Sequence, residues 1–333
     1  MRPPESPISI CFAYDPRSVF VRRDHEILIK HFEVREIRVP EKMIHWPTYY
    51  RHVSKAMKHC DVFFSWFANW HSLVGVRHAQ RMNKRSIIVA GGYDVANCPE
   101  IGYGAVLNLK ERYPSKKVLE NADLILSVSR ANQEQLLERA TPKGHELIYN
   151  GIPEYDVSDI EKENMVITVG AVNWNNLKRK GLDTFVLSAK YHPSIPFVLI
   201  GRWCDDSIDR LRSIAPPNVI FTDYVTEREL KDFYKQAKVY VQASYHESFG
   251  VSLAEAMMCQ CIPVVSFRYA LPEVVGNAGY YVHGLSPKEL AEQIQNALRG
   301  AKTGEGARKH ILNNFTLAHR EDKLVSAIKR VMG

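Results

Sequence analysis

Short apolar runs alternate with segments of helical periodicity along the whole chain, and this alternation limits most strongly the folds available to it. Six runs in each half predict strands: residues 8–12, 34–38, 61–64, 86–90, 124–127 and 146–149, then 165–169, 197–200, 219–221, 239–242, 262–266 and 280–282. Apolar strands without strict polar alternation are buried on both faces, as in a parallel sheet covered by helices. The pattern predicts an α/β fold with two doubly wound, Rossmann-like domains that face a cleft.

Helical patterns fill the intervals between the predicted strands. They are residues 19–31, 49–59, 72–83, 107–121, 131–139, 182–191, 205–214, 227–238, 251–258 and 287–299. A last helical pattern, at 317–332, is followed by no strand. Since 333 residues exceed the usual size of one domain, roughly 100–200 residues, we expect two domains.

The domain boundary is expected near Gly151-Ile152-Pro153, because the acidic, apolar-poor stretch that follows is typical of a linker. The predicted parts are a first domain at 1–152, a linker at 153–164 and a second domain at 165–316. The final segment, 317–333, is expected to pack back across the junction and complete the first domain.

Composition narrows the class of protein further. No apolar run reaches the roughly 18–20 residues that cross a bilayer, and residues 1–7 are polar and proline-rich with no signal-peptide core behind them. We therefore expect a cytoplasmic protein. Six cysteines are scattered, and the pair Cys259 and Cys261 lacks the spacing and histidine partners of a zinc site. Buried thiols in reducing surroundings are the better interpretation.

The net charge of +7 is concentrated in the first half. Residues 1–150 carry 22 Lys and Arg against 16 Asp and Glu, a difference of +6, whereas residues 151–333 carry 22 against 21, a difference of +1. A basic half suits an anionic membrane surface, an acidic acceptor or nucleic acid, and an ordinary solvated surface is the alternative. No nucleic-acid-binding motif accompanies the charge, so nucleic acid is not expected as a partner.

The segment 239–265 carries the most informative chemistry. A predicted buried strand ends shortly before Glu247, and the chain then turns through Ser248-Phe249-Gly250 into a helix at 251–258. Glycine permits close approach of the backbone, and a helix N-terminus offers free N–H groups to an anion such as a diphosphate. Glu255 is suited to accept hydrogen bonds from a ribose diol. Taken singly, Glu247 is better explained as a turn residue and Glu255 as a solvated glutamate of the helix.

The run Glu247-Ser-Phe-Gly-Val-Ser-Leu-Ala-Glu255 resembles the two-glutamate signature of the group 1 (family 4) retaining glycosyltransferases, which have the GT-B fold. Further segments follow that family's order: 166–170 with Lys180-Gly181, 197–201, 217–221, Tyr224, 230–240 and 263–276, and in the first half 121–129 and 149–152. The resemblance covers residues 60–300 and is most specific in the second half.

The resemblance implies a role for each residue that matches the motif. Lys180 would neutralise the diphosphate leaving group and Glu247 would contact the transferred sugar, which makes these two the predicted catalytic residues. Glu255 would hold the ribose, and Tyr224 would line the pocket for the base. The other predicted donor-binding residues are Gly170, Arg202, Ser248, Phe249, Gly250 and Val251.

The implied activity is transfer of a hexose from a nucleotide-diphosphate sugar to an acceptor hydroxyl, with retention of configuration. No metal and no cofactor are expected, because Lys180 would supply the fixed positive charge that the departing diphosphate needs. The expected acceptor is a sugar, a lipid-linked compound or another hydroxyl compound. The basic first domain is also compatible with peripheral contact to a membrane.

One position in the second domain departs from the family pattern. Ala171 follows Gly170 where the family usually has an arginine. Arg179 and Arg202 are the two candidates to supply the missing charge.

The first domain departs from the pattern twice. Gly91 occupies the position of a histidine near the sugar, and the first strand runs on through Arg17 instead of ending in a glycine pair. Arg17 is expected to replace backbone N–H donors there. With Gly92, Tyr93 and Asp94, which follow a predicted strand, it forms the predicted acceptor side. The alternative for the last three residues is a tight turn in which Asp94 caps the next element.

Two other functions remain open. A regulatory protein that binds the nucleotide sugar without catalysis is favoured by Gly91 and Ala171. Another enzyme on the same fold, such as an epimerase or a phosphorylase, is the weaker alternative, since a phosphorylase needs a pyridoxal lysine and no site for one is apparent.

Overall fold

The computed structural model describes residues 7–333, so most of the polar N-terminal segment discussed above, residues 1–6, lies outside the described residues. The described chain divides into two compact units. The first contains residues up to Pro99 together with 103–151 and 318–333, and the second contains 100–102 and 152–317.

The first unit is built on a parallel sheet of six strands. They are β1 (Ser9–Tyr14), β2 (Glu33–Arg38), β3 (Val62–Trp66), β4 (Arg85–Ala90), β5 (Leu124–Ser127) and β6 (His145–Leu147), in the order β2-β1-β3-β4-β5-β6. The helices between them are α1 (Val19–His31), α2 (Trp46–Met57), α3 (Trp70–Arg81), α4 (Leu109–Asn121) and α5 (Arg130–Arg139). Every residue of β3 is buried, as its continuous apolar run predicts.

The second unit repeats this architecture. Its strands are β7 (Glu163–Val169), β8 (Phe197–Ile200), β9 (Val219–Phe221), β10 (Ala237–Gln242), β11 (Ile262–Ser266) and β12 (Tyr280–Val282), in the order β12-β11-β10-β7-β8-β9. Its helices are α6 (Trp174–Arg179), α7 (Leu182–Ser188), α8 (Ser207–Ile214), α9 (Glu227–Gln236), α10 (Val251–Met258), α11 (Leu271–Val275), α12 (Pro287–Arg299) and α13 (Gly304–Asn314). All pairs of neighbouring strands are parallel. The predicted α/β class is therefore confirmed.

The last helix, α14 (Leu317–Met332), packs almost entirely with the first unit. Arg320 is 3% exposed and Asp24 of α1 is fully buried. The Arg320 guanidinium donates two hydrogen bonds to the two Asp24 oxygens, at 2.5 and 2.6 Å. A bidentate pair of this kind adds geometric specificity as well as electrostatic attraction, so it favours one orientation of α14 on this unit.

Several boundaries differ from the predicted ones for identifiable reasons. The predicted linker extends to residue 164, but β7 begins at Glu163, which pairs with Ala237 of β10 despite its polar side chain. The helix predicted at 227–238 ends at Gln236 because β10 begins at the next residue. Cys204 is exposed, whereas the other five cysteines are the buried thiols expected from the sequence.

Candidate functional site

The strand order of the second unit defines where a ligand is expected. Strand β7 lies between β8 and β10 in the sheet. From β7 the chain continues through β8 and β9 to one edge of the sheet, and it then returns to β10 and continues through β11 and β12 to the other edge. In open parallel sheets, ligands bind at the carboxyl ends of the strands where the order reverses in this way. Gly170 follows β7 and Glu247 follows β10, which puts both predicted residues at this switch point.

Two glycines position Lys180 at the switch point. Lys180 directly follows α6, and Gly181 next to it has φ +65°. A Cβ atom on Gly181 would lie 2.0 Å from the Ala243 carbonyl oxygen, so this close approach to the end of β10 requires glycine. A Cβ atom on Gly170 would lie 2.8 Å from Cδ of Lys180. Gly170 thus leaves room for the lysine side chain.

The Lys180 ammonium donates a hydrogen bond of 2.8 Å to Oε1 of Glu247. The same oxygen accepts hydrogen bonds from Nε2 of Gln242 at 2.9 Å and from the Ser244 hydroxyl at 3.3 Å. Nη1 of Arg179 lies 3.9 Å away. The side chain of Glu247 is 11% exposed, so its carboxylate lies next to two cations in a largely buried environment.

Opposing effects act on the pKa of Glu247. Burial raises it, but the charges of Lys180 and Arg179 and the hydrogen bond from Lys180 outweigh burial and lower the pKa to about 2. Burial also lowers the pKa of the neighbouring His246 to about 4, against the attraction of Glu247. At neutral pH the site therefore combines a carboxylate, two fixed cations and a neutral imidazole.

Arg179 and Arg202 were the two candidates to replace the arginine that is missing at position 171. Of these two, Arg179 lies at the site, beside Glu247. Its Nε and Nη2 donate to Oδ1 of Asn176 at 3.0 and 2.8 Å, and Nδ2 of Asn176 donates to the Ala171 carbonyl at 2.7 Å. Asn176 thereby connects the Arg179 guanidinium to the loop in which the family arginine is missing. Arg202 is exposed, and within residues 7–333 its guanidinium forms no ion pair or hydrogen bond.

The segment after Glu247 starts α10 as predicted. Gly250 has φ +89° and directly precedes the helix. The Phe249 side chain is 2% exposed and its ring packs edge-on against Phe315, with 5.5 Å between centroids. Phe249 therefore anchors the turn through its ring. Its backbone, with those of Ser248 and Val251, is the part available to a ligand.

Glu255 and Tyr224 occupy contrasting environments. Glu255 is 8% exposed, and the Tyr234 hydroxyl lies 3.5 Å from its Oε2. Burial and the charge of Glu255 raise the pKa of Tyr234 well above its usual value, so the phenol stays protonated. Tyr224 is 70% exposed. The ribose and base roles of these two residues remain predictions.

Sequence reasoning missed the polar residues at the end of β10. Gln242 donates both amide hydrogens, to Ser244 and to Glu247, each at 2.9 Å, and the Tyr240 hydroxyl lies 3.0 Å from its Oε1. Tyr240 and Gln242 are two residues apart in β10 and so share one face of the strand, and Ser244 follows two residues later. In the sequence, polar side chains at alternate positions at the end of an apolar run could have indicated these additional site residues.

Arg17, a predicted acceptor-side residue, follows β1 in the first unit. Its Nε and Nη2 donate to Asp15 at 2.9 and 2.7 Å, and its Nη1 lies 3.2 Å from Oε1 of Glu41. The hydrogen bonds from Arg17 lower the pKa of Asp15. Arg17 is thus an exposed cation between two carboxylates.

The glycine at position 91 has a steric cause. A Cβ atom on Gly91 would lie 2.0 Å from the ring of Phe67, a residue that follows β3 with φ +66°. The aromatic ring therefore fills the space in which the family's histidine would begin. The Phe67 ring and a side chain at position 91 are therefore mutually exclusive in this arrangement.

The other acceptor-side candidates form a tight turn. Oδ2 of Asp94 accepts hydrogen bonds from the backbone N–H groups of Ala68 and Gly91, at 2.8 and 3.3 Å, and Oδ1 accepts from Gly92 at 2.7 Å. Asp94 is 3% exposed, and burial raises its pKa despite these bonds. This geometry matches the turn alternative for Asp94. Tyr93 is 36% exposed and packs edge-on against Tyr103.

Residues 7–333 lack two features, a membrane-spanning helix and a cluster of metal ligands. No helix there is long and apolar enough to span a membrane. No group of three or more His, Cys, Asp or Glu side chains there is arranged to hold a metal ion.

Comparison with known proteins gives the class. Residues 155–312 match the family of glycosyl transferases group 1. This match falls on the second unit, where the resemblance is most specific, and it agrees with the family that the resemblance predicts.

Relatives by sequence are glycosyltransferases. The serotype-specific mannosyltransferase WbdA of Escherichia coli is 26% identical over 203 residues, which are 51% of this chain and 24% of WbdA. The α-galactosylglucosyldiacylglycerol synthase of Streptococcus pneumoniae is 29% identical over 125 residues, which are 35% of this chain and 33% of the synthase. The chain thus matches about a quarter to a third of the length of these curated relatives.

Solved structures identify the fold. A crystal structure of HepE from Anabaena, in complex with UDP and glucose, has a TM-score of 0.77 and 13% identity, covering 97% of this chain and 100% of HepE. Sucrose-phosphate synthase from Thermosynechococcus elongatus has a TM-score of 0.79 and 19% identity, covering 98% of this chain and 99% of the synthase. The fold is GT-B, as expected.

Proposed function

We propose that this protein transfers a hexose from a nucleotide-diphosphate sugar to an acceptor hydroxyl, with retention of configuration and without an obligatory metal or cofactor. The observation that carries the proposal is the cluster of Lys180, Arg179 and Glu247 at the switch point of a group 1 glycosyltransferase domain. Two fixed cations near the carboxyl ends of β7 and β10 suit a diphosphate, and their charge favours its departure.

Each residue has a distinct part in the proposed reaction. The diphosphate takes over the Lys180 ammonium from Glu247, which frees the Glu247 carboxylate to accept a hydrogen bond from a sugar hydroxyl. Backbone N–H groups at Ser248–Val251 bind the sugar or phosphate oxygens at the start of α10. Glu255 binds the ribose. The acceptor attacks from the face that the diphosphate leaves, with a phosphate oxygen accepting the proton.

The first test is a thermal-shift panel of nucleoside diphosphates and their sugars. UDP compounds are the first candidates, since HepE was crystallised with UDP. A ligand present at 100 times its Kd should stabilise the fold by about 2.7 kcal/mol. NMR of the product, with and without a chelator, then reports the anomeric configuration and the metal requirement. An inverted product or a strict metal requirement would contradict those parts of the proposal.

The second candidate is a regulatory protein that binds the nucleotide sugar without transferring it. Phe67 favours it, because its ring excludes a histidine from position 91. Transfer to any acceptor, or slow hydrolysis of the bound donor, would rule this candidate out.

We further propose that the protein works in the cytoplasm, with peripheral contact to a membrane through its basic first unit. Support comes from the excess of Lys and Arg before residue 150. One relative is named as a synthase of a diacylglycerol glycolipid, which makes a lipid-linked acceptor reasonable. Fractionation of cells into soluble and membrane-bound protein tests this.

A further inference from the structure

A cavity of about 520 Å³ lies in the first unit, at the carboxyl end of strand β2. Its walls come from residues 38–42, which leave the strand, and from the segment that enters α2. The volume is within the range of small-molecule sites, roughly 300–1,000 Å³. The cavity is in the part of the sheet where ligands of parallel α/β proteins bind.

The cavity is lined by cations that have no acidic partner. Arg38 and Lys42 contribute a guanidinium and an ammonium, and neither pairs with a carboxylate anywhere in the described residues. Glu41 is the one acid of the lining, and it is already bound to Arg17 at 3.2 Å. The free positive charges therefore face a space large enough for a ligand.

Hydrogen-bond donors complete the lining. His45 and His52 bring imidazole N–H groups, and Thr48 brings a hydroxyl. The hydroxyl of Tyr49 donates to the His71 carbonyl at 3.1 Å, so Tyr49 offers the cavity its ring only. Two cations with several neutral donors are the groups that bind the oxygens of a phosphate ester.

The surrounding segment adds to the positive potential. Residues 38–59 contain five Lys and Arg (Arg38, Lys42, Arg51, Lys55 and Lys58) and one acidic residue, Glu41. Positive charges around a recess raise the local concentration of an anion. The basic character of the first half is thus concentrated partly around this cavity.

The cavity adjoins the predicted acceptor side. Arg38 lies directly opposite Tyr14 in the register of β2 and β1, and Arg17 follows three residues after Tyr14. We propose that the cavity binds a phosphate ester carried by the acceptor, which leaves the acceptor hydroxyl outside the cavity. The role of the cavity as an acceptor site rests on the proposed transfer reaction. The binding of a phosphate ester in the cavity does not depend on that reaction.

The test compares two variants of equal charge. In the cavity variant, Arg38→Gln and Lys42→Gln remove the two unpaired cations. In the control variant, Arg51→Gln and Lys55→Gln remove two exposed cations from α2 that do not line the cavity. All four side chains are exposed, so both variants should keep the unfolding temperature of the wild type.

Two probes distinguish the sources of the phosphate. Titration calorimetry with glycerol 3-phosphate, with glycerol as the neutral blank, measures binding of a soluble ester. Sedimentation with phosphatidylcholine vesicles, with and without phosphatidic acid, measures binding of a lipid headgroup. We expect the cavity variant to lose at least about tenfold in affinity for one of the two and the control variant to lose much less.

The pattern across the variants decides the result. Selective loss with glycerol 3-phosphate supports a soluble acceptor phosphate, and selective loss with vesicles alone supports a lipid one. Equal loss in both variants means general surface electrostatics and overturns the proposal, as does binding of neither probe. Nucleoside diphosphate binding is measured in parallel: if it is absent while phosphate binding persists, the proposed function fails and the cavity assignment stands.

Discussion

The Lys180 ammonium lies 2.8 Å from Oε1 of Glu247, although 67 residues separate them in the sequence. Lysine is therefore held at the point where a diphosphate is expected. Lys180→Ala should lower the transfer rate by at least about 100-fold, because a preorganised charge on the leaving group is lost. Steady-state kinetics measures this, with Lys178→Ala as the control, since Lys178 is exposed in the same run. Equal rates in both variants would refute the assignment.

The same contact predicts how stability depends on pH. The pKa of Glu247 falls from its usual 4.5 to about 2 in the folded protein. Because the folded pKa is the lower one, the stabilising contribution is present above about pH 4.5 and is lost as the pH falls toward 2. A shift of this size corresponds to about 3 kcal/mol. Urea unfolding between pH 2 and 7 should show this loss in the wild type and lack it in Glu247→Gln. The exposed Glu292→Gln, as the control, should behave like the wild type.

Glu255 provides a test of ribose recognition. Glu255→Gln should weaken binding of a ribonucleoside diphosphate by roughly tenfold or more, because a charged acceptor is replaced by a neutral one. Binding of the 2′-deoxy analogue should change much less. Calorimetry with both ligands makes the comparison, with the exposed Glu305→Gln as control. A similar loss for both ligands would mean that Glu255 acts on the fold or on another part of the donor.

The contact between Gly91 and Phe67 predicts coupled mutations. Gly91→His should lower the free energy of unfolding by about 1–3 kcal/mol, because the new side chain collides with the Phe67 ring. In a Phe67→Ala background the same substitution should be tolerated better. A double-mutant cycle from urea unfolding measures the coupling. Strict additivity of the two effects would show that the ring is not the obstacle.

Much of the fold was predictable because it is encoded locally. The twelve predicted strands correspond to twelve strands in two parallel sheets, and the apolar runs of the central strands are visible without any knowledge of their neighbours. The edge strand β2 is an exception to the predicted burial, because most of its residues are exposed. Helices α6 and α11, with six and five residues, are too short to show a helical period. Helix α13 begins with Gly304, a weak helix former, and was missed for that reason.

The candidate site was predictable only in part. Lys180 and Glu247 were identified through the family motif, whereas their contact arises from the packing of Gly181 on Ala243. The close contact at Gly91 was not predictable, because the ring that fills this space belongs to Phe67, which follows a different strand. Tertiary contacts of this kind have no signature in a single sequence.

The pairing of Asp24 with Arg320 has a consequence for synthesis of the chain. These residues are 296 positions apart, and the first unit is incomplete without the helix that carries Arg320. During translation, the second unit has all of its strands outside the ribosome before the first unit receives its last helix. The unit whose strands are made first is therefore the unit that receives its last helix last, and the Asp24 carboxylate has no Arg320 to pair with until α14 is made.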